Sequence, residues 1–583
     1  MIFSLSQILT EYNTIKKYKA PIKRVKVLSE VTFQPNDILV DYFTRKHGFT
    51  LDYEIGLYDQ MNYESYSVEK KKLDTYDFVY IHSSILKWFI SDEINFNDEN
   101  TTGLDAYLEN IKKICKKNPQ SNIIANTLEY PPFRVRGSLS SRSGLVFQVR
   151  KFNETLIKLS YELSNLIIQD INYISCQTGL NHWFDFNSWA AFKQPLSEKA
   201  LVALSQSLAS VMASVIGKSK KILISDLDDT LWSGIVGDDG VDGILIGPDT
   251  AKGELFLIIQ KYLLFIIKSG VIFSIVSKND PKTVNEAFEK KRDDMPINLE
   301  LSSSSKINWV QKSKNVREIL IELNLLPDSA IFIDDSDLEC LDVETNTKGC
   351  IAISYEKSPI ELIKKIDKMG FFETQSVNSS DQSRTQYYKD NNLREKLVEQ
   401  SDSYEKFLES LKMKTNVQWK LDKHIDRASQ LTKKTNQFNL TQVSLSHEDI
   451  KSYEIDRNKW IVIADLADKI GNNGIVTVAF GSCKDGILII ENWTMSCRVF
   501  NRGLDFAMLY EILDFAKNKG VLEIYSSINK ISKNKYVHHL HELLGFKLIN
   551  KNDDKYNYVY NLNDTLKKIN NESQPKHYIK IYK

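Results

Sequence analysis

The stretch KILISDLDDTLWSGIVGDDG, Lys221–Gly240, decides how the centre of this chain folds. The apolar run from Ile222 to Leu227 reads as a buried strand, and two acids one residue apart, Asp226 and Asp228, stand where it ends. Like charges so close repel unless a cation or a proton lies between them. The pattern points to a metal site, a proton-sharing pair or both, with a solvated acidic turn as the plain alternative. Thr230 completes Asp-x-Asp-x-Thr. A second apolar run, VIFSIVSK, reaches Ser277 and is followed by Lys278 and Asn279; Lys312 lies in WVQKSKNV; a third run, AIFIDDSD, carries the pair Asp334–Asp335. Strands alternating with helices predict a parallel sheet, whose ligands bind outside the carboxyl ends of its strands. One crevice would then collect all of these polar residues.

The surrounding chain is long, 583 residues, which predicts several domains. Lys+Arg and Asp+Glu both number 76, so no global field points to nucleic acid or an anionic membrane. Six scattered cysteines without paired spacing exclude a disulfide framework and a structural zinc site. The amino terminus does not read as a signal peptide, and the most apolar helical run, ELFLIIQKYLLFIIKSG, is interrupted by Lys261 and too short to cross a bilayer. A cytoplasmic protein is expected. The predicted divisions are an α/β amino-terminal domain (1–215), a central α/β domain (216–372), a linker and connecting helix (373–410), a third domain (411–565) and a polar tail (566–583). Strands are expected in RVKVLSEVTF, DFVYIHSS and NIIANTLEY, and a long helix in VRKFNETLIKLSYELSNLIIQD. In the third domain they are expected in KWIVIADLAD, GIVTVAFG and GILIIENWTMSC, ahead of a helix that Gly520 would cap.

The order of the central motifs resembles the haloacid dehalogenase superfamily, with its Rossmann-like core. The resemblance implies Asp226 as nucleophile and Asp228 as general acid and base, with Thr230, Ser277 and Lys312 on the phosphoryl oxygens. It implies Mg²⁺ held by Asp226, Asp228, Asp334 and Asp335. Lys278 is the alternative to Lys312. The short spacings leave little room for a cap domain, so the site should stay open.

The words GPDTAKGELF, SKND, INWVQKSKNV, QLTKKTNQFNLT, NNGIVTVA and WTMSCRVFNRGLD resemble, in that order, FkbH-like proteins. These are glyceryl transferase/phosphatases that load carrier proteins. The resemblance implies 1,3-bisphosphoglycerate as substrate, an acyl carrier protein as partner and an enzyme cysteine as acyl carrier. Cys497 fits that role best, because Arg498, Arg502 and a helix start beside it would favour a thiolate; Cys340 is the runner-up and Cys483 third. The third domain also resembles the GNAT-like acetyltransferase fold, which implies that Arg498, Arg502 and Gly503 receive a pantetheine arm. His538, His539 and His541 are expected on the surface. In the first domain, Ser29 and Asn126 resemble SGNH-type hydrolases, but Gly179 stands three residues before the late His182 where an aspartate is usual. A non-catalytic, SGNH-like domain is expected. Two rival readings remain: a plain Mg²⁺-dependent phosphatase, and a non-enzymatic carrier-protein adaptor.

Overall fold

The computed structural model describes residues 4–15, 20–56, 76–90, 102–119, 121–134, 137–138, 144–374, 400–531, 533–562 and 578–582, with single positions between 387 and 398. The chain forms two compact units, Met1–Ser219 with Lys364–Gln375, and Lys220–Ile363 with Ser376–Lys583. Part of the expected linker (373–410) and most of the expected tail (566–583) fall outside the described residues.

The first unit is a parallel sheet of β1 (Ile22–Ser29), β2 (Thr50–Ile55), β3 (Phe78–His82), β4 (Asn122–Asn126) and β5 (Leu166–Gln169), in the order β2-β1-β3-β4-β5. Its central strands are apolar because helices cover both faces. Val27, Phe78 and Ile124 pack on one face, and Val79, Ile81 and Ile123 on the other. The helix expected to run on to Asp170 stops at Glu162, and LIIQ becomes β5, pairing with Ile123–Asn126. A short apolar run does not distinguish helix from buried strand by periodicity, and the gap beside β4 settles it. Residues Lys364–Gln375, expected at the end of the central domain and the start of the linker, belong with the first unit. There Ser210 Oγ donates to Met369 O at 3.0 Å and Gln177 Nε2 to Asp367 Oδ2 at 2.6 Å.

The second unit holds two sheets. The first comprises β6 (Ile222–Ser225), β7 (Ile272–Ser277), β8 (Ser305–Ile307), β9 (Ala330–Ile333) and β10 (Ile351–Ile353), all parallel in the order β10-β9-β6-β7-β8. Every residue of β6, β7 and β9 is buried, which suits a sheet covered on both faces. The three expected strands are these three.

The other sheet is mostly antiparallel. It contains β11 (Met413–Gln418), β12 (Phe438–Asn439), β13 (Lys459–Ala467), β14 (Asn472–Lys484), β15 (Ile487–Met495), β16 (Glu523–Asn529), β17 (Lys547–Asn552), β18 (Lys555–Asn561) and β19 (Ile579–Tyr582). β15 and β16 run parallel and pair only over Ile487–Ile490 and Glu523–Ser526; the far end of β15 pairs with β12 instead. Within the expected tail, β19 pairs in parallel with β11 and buries Ile579, because its alternating isoleucines match an open strand edge.

No helix among the described residues is long and apolar enough to cross a membrane.

Candidate active site

The carboxyl ends of β6, β7 and β9 converge, and register fixes how. Ser225 pairs with Ile275 on one side and Ile333 on the other, so Asp226 and Asp334 leave the sheet at one level and β7 runs two residues further to Ser277. Asp226 N donates to Ile333 O at 3.0 Å, holding the first acid against the strand that delivers Asp334. Carboxylate oxygens of Asp226, Asp334 and Asp335 lie within 4.8 Å of one another.

Lys312, the first residue of the helix Lys312–Glu322, reaches into this cluster. Its Nζ stands 2.9 Å from Asp226 Oδ2 and 2.7 Å from Asp334 Oδ2, with all three side chains nearly inaccessible to solvent. Burial raises both acids to about 6, and the ammonium of Lys312 opposes that rise in each. Burial also works against the charge on Lys312, but the two carboxylates override it and its pKa is raised. Asp335 is raised by burial and by the charge of Asp226. One lysine therefore leaves three acids undercompensated. Asp226 Oδ1 is buried with no hydrogen-bond partner among the described residues. A cluster of hard oxygen donors with an orphaned oxygen fits Mg²⁺, which takes one or two carboxylates and keeps its waters.

Lys278, the alternative cation, is half-buried at the mouth and pairs with Glu339. Lys312 is the cation of the interior. Ser277 ends β7 and is buried; Thr230 is buried with an Oγ1 that meets no partner among the described residues. Asp228, expected among the metal ligands, lies outside the three-acid cluster. Its Oδ1 accepts from Trp232 Nε1 at 2.9 Å and from Val236 N at 3.1 Å, and its Oδ2 from Asn279 Nδ2 at 2.8 Å. The turn that carries it is tightly specified. Asp229 takes a positive φ and its Oδ1 accepts from Gly234 N, while Gly234, at φ +97°, sits where a Cβ would approach Asp239 Oδ2 to 2.8 Å. Asn279 and Trp232 carry no role in the sequence reading. The word SKND places Asn279 two residues past a strand end, which was the available signal.

The third-domain residues form a separate place. Cys497 is partly exposed and opens a short turn, Cys497–Val499, directly after β15. Gly503, at φ +78°, precedes the helix Leu504–Asn518. Arg498 and Arg502, expected to receive a pantetheine arm, are buried and engaged inside the protein. The Arg498 guanidinium lies over the Tyr387 ring at 4.4 Å, and its Nε donates to Ser496 Oγ at 3.1 Å. Arg502 Nη2 donates to Arg498 O at 2.8 Å, and Nη1 stands 3.5 Å from Asp468, which Arg394 grips at 2.7 and 2.8 Å. An aspartate with no solvent exposure requires such partners, and Arg394 and Arg502 supply them. Cys340 is buried and its thiol pushed far up by burial and by Asp334, and Cys483 is raised by burial. His541, expected on the surface, is buried and stacked on Tyr558 at 4.7 Å, with burial lowering its pKa to about 3. The residues after His541 form the strand pair β17–β18, whose Tyr558 covers the ring.

In the first unit, Ser29 does not meet His182, which sits in the turn Leu180–His182. Ser29 pairs across the strands with His82, whose Nδ1 is 3.1 Å from Ser29 Oγ. That hydroxyl donates to Val31 O at 2.6 Å, so its single proton is spent and the imidazole must be the donor. A serine bound in this way is not activated by its histidine. Asn126 Oδ1 accepts from Ser83 N at 2.9 Å, and Ser84 donates to the buried Glu129. These polar groups at the carboxyl ends of the strands bond to one another.

Comparison with known proteins places these observations. Among curated proteins none matches this sequence. Among solved structures, the chain resembles the N-terminal part of protein BF1531 from Bacteroides fragilis, a structure containing a phosphatase domain complexed with Mg. The identity is 24%, the match covers 64% of this chain and all of that one (100%), and the TM-score is 0.59. The ribosomal-protein-S18-alanine N-acetyltransferase from Escherichia coli shares 12% identity over 28% of this chain and 99% of its own, at a TM-score of 0.21. An acetyltransferase of the GNAT family from Streptococcus pneumoniae shares 14% over 25% of this chain and 99% of its own, also at 0.21. Scores that low do not bear on the fold of the third domain. Residues 25–213 match the family model of the FkbH N-terminal domain.

Proposed function

We propose that this chain is a Mg²⁺-dependent phosphatase of the haloacid dehalogenase type. The observation that carries the reading is the buried set Asp226, Asp334 and Lys312 at the carboxyl ends of adjacent parallel strands, with Asp335 beside it. Asp226 is the nucleophile: its carboxylate attacks phosphorus as the bond to the leaving oxygen breaks, giving an aspartyl-phosphate. Asp228 supplies the proton to the leaving oxygen and takes one from the water that hydrolyses the intermediate. Lys312, Ser277 and Thr230 bind the phosphoryl oxygens. Asp226, Asp334 and Asp335 would hold Mg²⁺, which offsets phosphoryl charge when bound. Asp226→Asn keeps the size of the side chain but removes the attacking oxyanion. A folded Asp226→Asn protein should lose phosphate release by several orders of magnitude; turnover at the wild-type rate would falsify the assignment.

The finer reading is that the phosphoryl compound is 1,3-bisphosphoglycerate and that the glyceryl group passes through Cys497 to the phosphopantetheine thiol of an acyl carrier protein. Supporting it are the partial exposure of Cys497, its place after a strand end near a helix start, and the burial of Cys340 and Cys350. The match of residues 25–213 to the FkbH N-terminal domain accords with it. The arginines beside Cys497 are buried and bonded within the protein. Intact-mass spectrometry of enzyme, carrier and 1,3-bisphosphoglycerate tests this reading through the mass added to each protein.

A further inference from the structure

The helix Pro281–Lys290 follows directly on β7 and sits beside the turn that carries Asp228. Asp280 caps it, accepting from Lys282 N and Thr283 N at 3.0 Å each, and Pro281 opens it. That cap fixes the backbone just before the helix, where Asn279 stands, buried, with Nδ2 donating both to Asp228 Oδ2 at 2.8 Å and to Ser277 Oγ at 3.0 Å. From the same helix, Phe288 packs edge-on against Trp232, with ring centroids 5.4 Å apart. Trp232 has no solvent exposure, and its Nε1 donates to Asp228 Oδ1 at 2.9 Å.

The two carboxylate oxygens are therefore unequal. Each has two lone-pair directions. Those of Oδ1 are both taken, by Trp232 Nε1 and Val236 N, whereas Oδ2 accepts one bond, from Asn279. Oδ1 is the anchor, and Oδ2 keeps the direction that can carry a proton. Asn279 also ties that oxygen to Ser277, the residue at the phosphoryl end of β7.

We infer that Asn279 and Trp232 are positioning residues that hold Asp228 so that its Oδ2 delivers the proton to the leaving oxygen. The inference rests on the phosphatase reading above. In the step concerned, the bond from Asp226 to phosphorus forms, the bond from phosphorus to the leaving oxygen breaks, and the proton on Asp228 Oδ2 moves to that oxygen. A poor leaving group needs the proton; p-nitrophenolate departs without it. The ratio of kcat/KM for an alkyl phosphate to that for p-nitrophenyl phosphate thus reports proton delivery, and a loss of packing alone would lower both terms together.

The test measures that ratio in the full-length protein with Mg²⁺, using glycerol phosphate and p-nitrophenyl phosphate. Trp232→Phe removes one N–H and keeps an aromatic ring against Phe288; Asn279→Ala removes the other contact from the opposite side. Each should lower the ratio about 10²-fold, the low end of what general acid catalysis contributes. If Trp232→Phe does not fold, Asn279→Ala alone decides. Equal losses on the two substrates, or no loss, would overturn the inference and leave the phosphatase reading standing. A wild-type protein that releases phosphate from neither substrate would overturn that reading and this one with it.

Discussion

Glu129→Gln should change how the stability of the first unit depends on pH, by an amount that follows from its surroundings. Glu129 is fully buried beyond the carboxyl end of β4, and burial raises its carboxyl from 4.5 to about 7, while Ser84 and backbone donors limit the rise. Between those values the folded chain binds a proton that the unfolded chain has released. Stability therefore falls as pH rises from 4.5 to 7. The window is 7 − 4.5 = 2.5 units, and at 1.36 kcal/mol per unit it amounts to about 3 kcal/mol. His82, nearby on β3, runs the other way: burial lowers it from 6.5 to about 3, so its contribution is lost as pH falls through that range. The wild type thus carries two opposed slopes that partly cancel between pH 4.5 and 6.5. Glutamine keeps an acceptor for Ser84 and cannot titrate, so the variant should show the His82 slope alone. Hydrogen exchange of amides in Asn122–Asn126, corrected for intrinsic rate, reads the local opening free energy. The variant-minus-wild-type difference should grow by about 3 kcal/mol from pH 4.5 to 7. A difference flat across that range would refute the argument, since an ionised Glu129 would then be tolerated in the folded state at no cost.

Chelation of divalent ions should stop phosphate release and added Mg²⁺ restore it, because Lys312 alone cannot compensate Asp226, Asp334 and Asp335; full turnover in excess EDTA would mean that the acids share protons instead. Cys497→Ala should lose the acyl-enzyme adduct and carrier loading while retaining phosphate release, and Cys340→Ala, whose thiol is buried and raised, should keep loading. Intact-mass spectra of both variants with carrier decide this one, and a carrier still loaded by Cys497→Ala removes the thiol from the pathway.

What the sequence made legible, and what it hid, follows a physical division. Asp226, Ser277, Asp334 and Asp335 each end or follow a largely apolar run, and in a parallel sheet such positions are brought together by register without further information. Lys312 is readable only with its neighbours, since a lone lysine at a helix start has no preferred direction. The grip on Asp228 was not readable. It depends on how a turn with Asp229 at positive φ folds back so that Trp232 and Val236 face the carboxylate, and no periodicity encodes that. The setting of Arg502 was hidden for a similar reason: its partner, Asp468, lies thirty-four residues before it and meets it only through the sheet. His541 misled because Tyr558 and Phe546, both later in the chain, pack against its ring.

Within the second unit, the contacts between its two sheets limit how the proposed chemistries can be joined. Lys221 Nζ, just before β6, donates to Lys434 O at 3.1 Å; Gln437 Nε2 donates to Asn324 O at 3.4 Å; and Lys533 pairs with Asp328, just before β9. Lys221, Asn324 and Asp328 all stand at the amino ends of the parallel strands, whereas Asp226 and Asp334 stand at the carboxyl ends. Gln437 adjoins β12, which pairs with Thr494–Met495 immediately before the Cys497 turn. The thiol region therefore approaches the parallel sheet from the end opposite the acids. Four residues of β6 alone separate the two ends by roughly 13 Å at the usual rise per residue, and the packed core of the sheet lies between. On the proposed chemistry, a direct hand-over from the phosphoryl site to Cys497 would have to bypass that core. The proposed route would therefore carry the acyl group as a free acyl phosphate or on the arm of a carrier, with removal of one phosphate and capture of the acyl group as separable reactions.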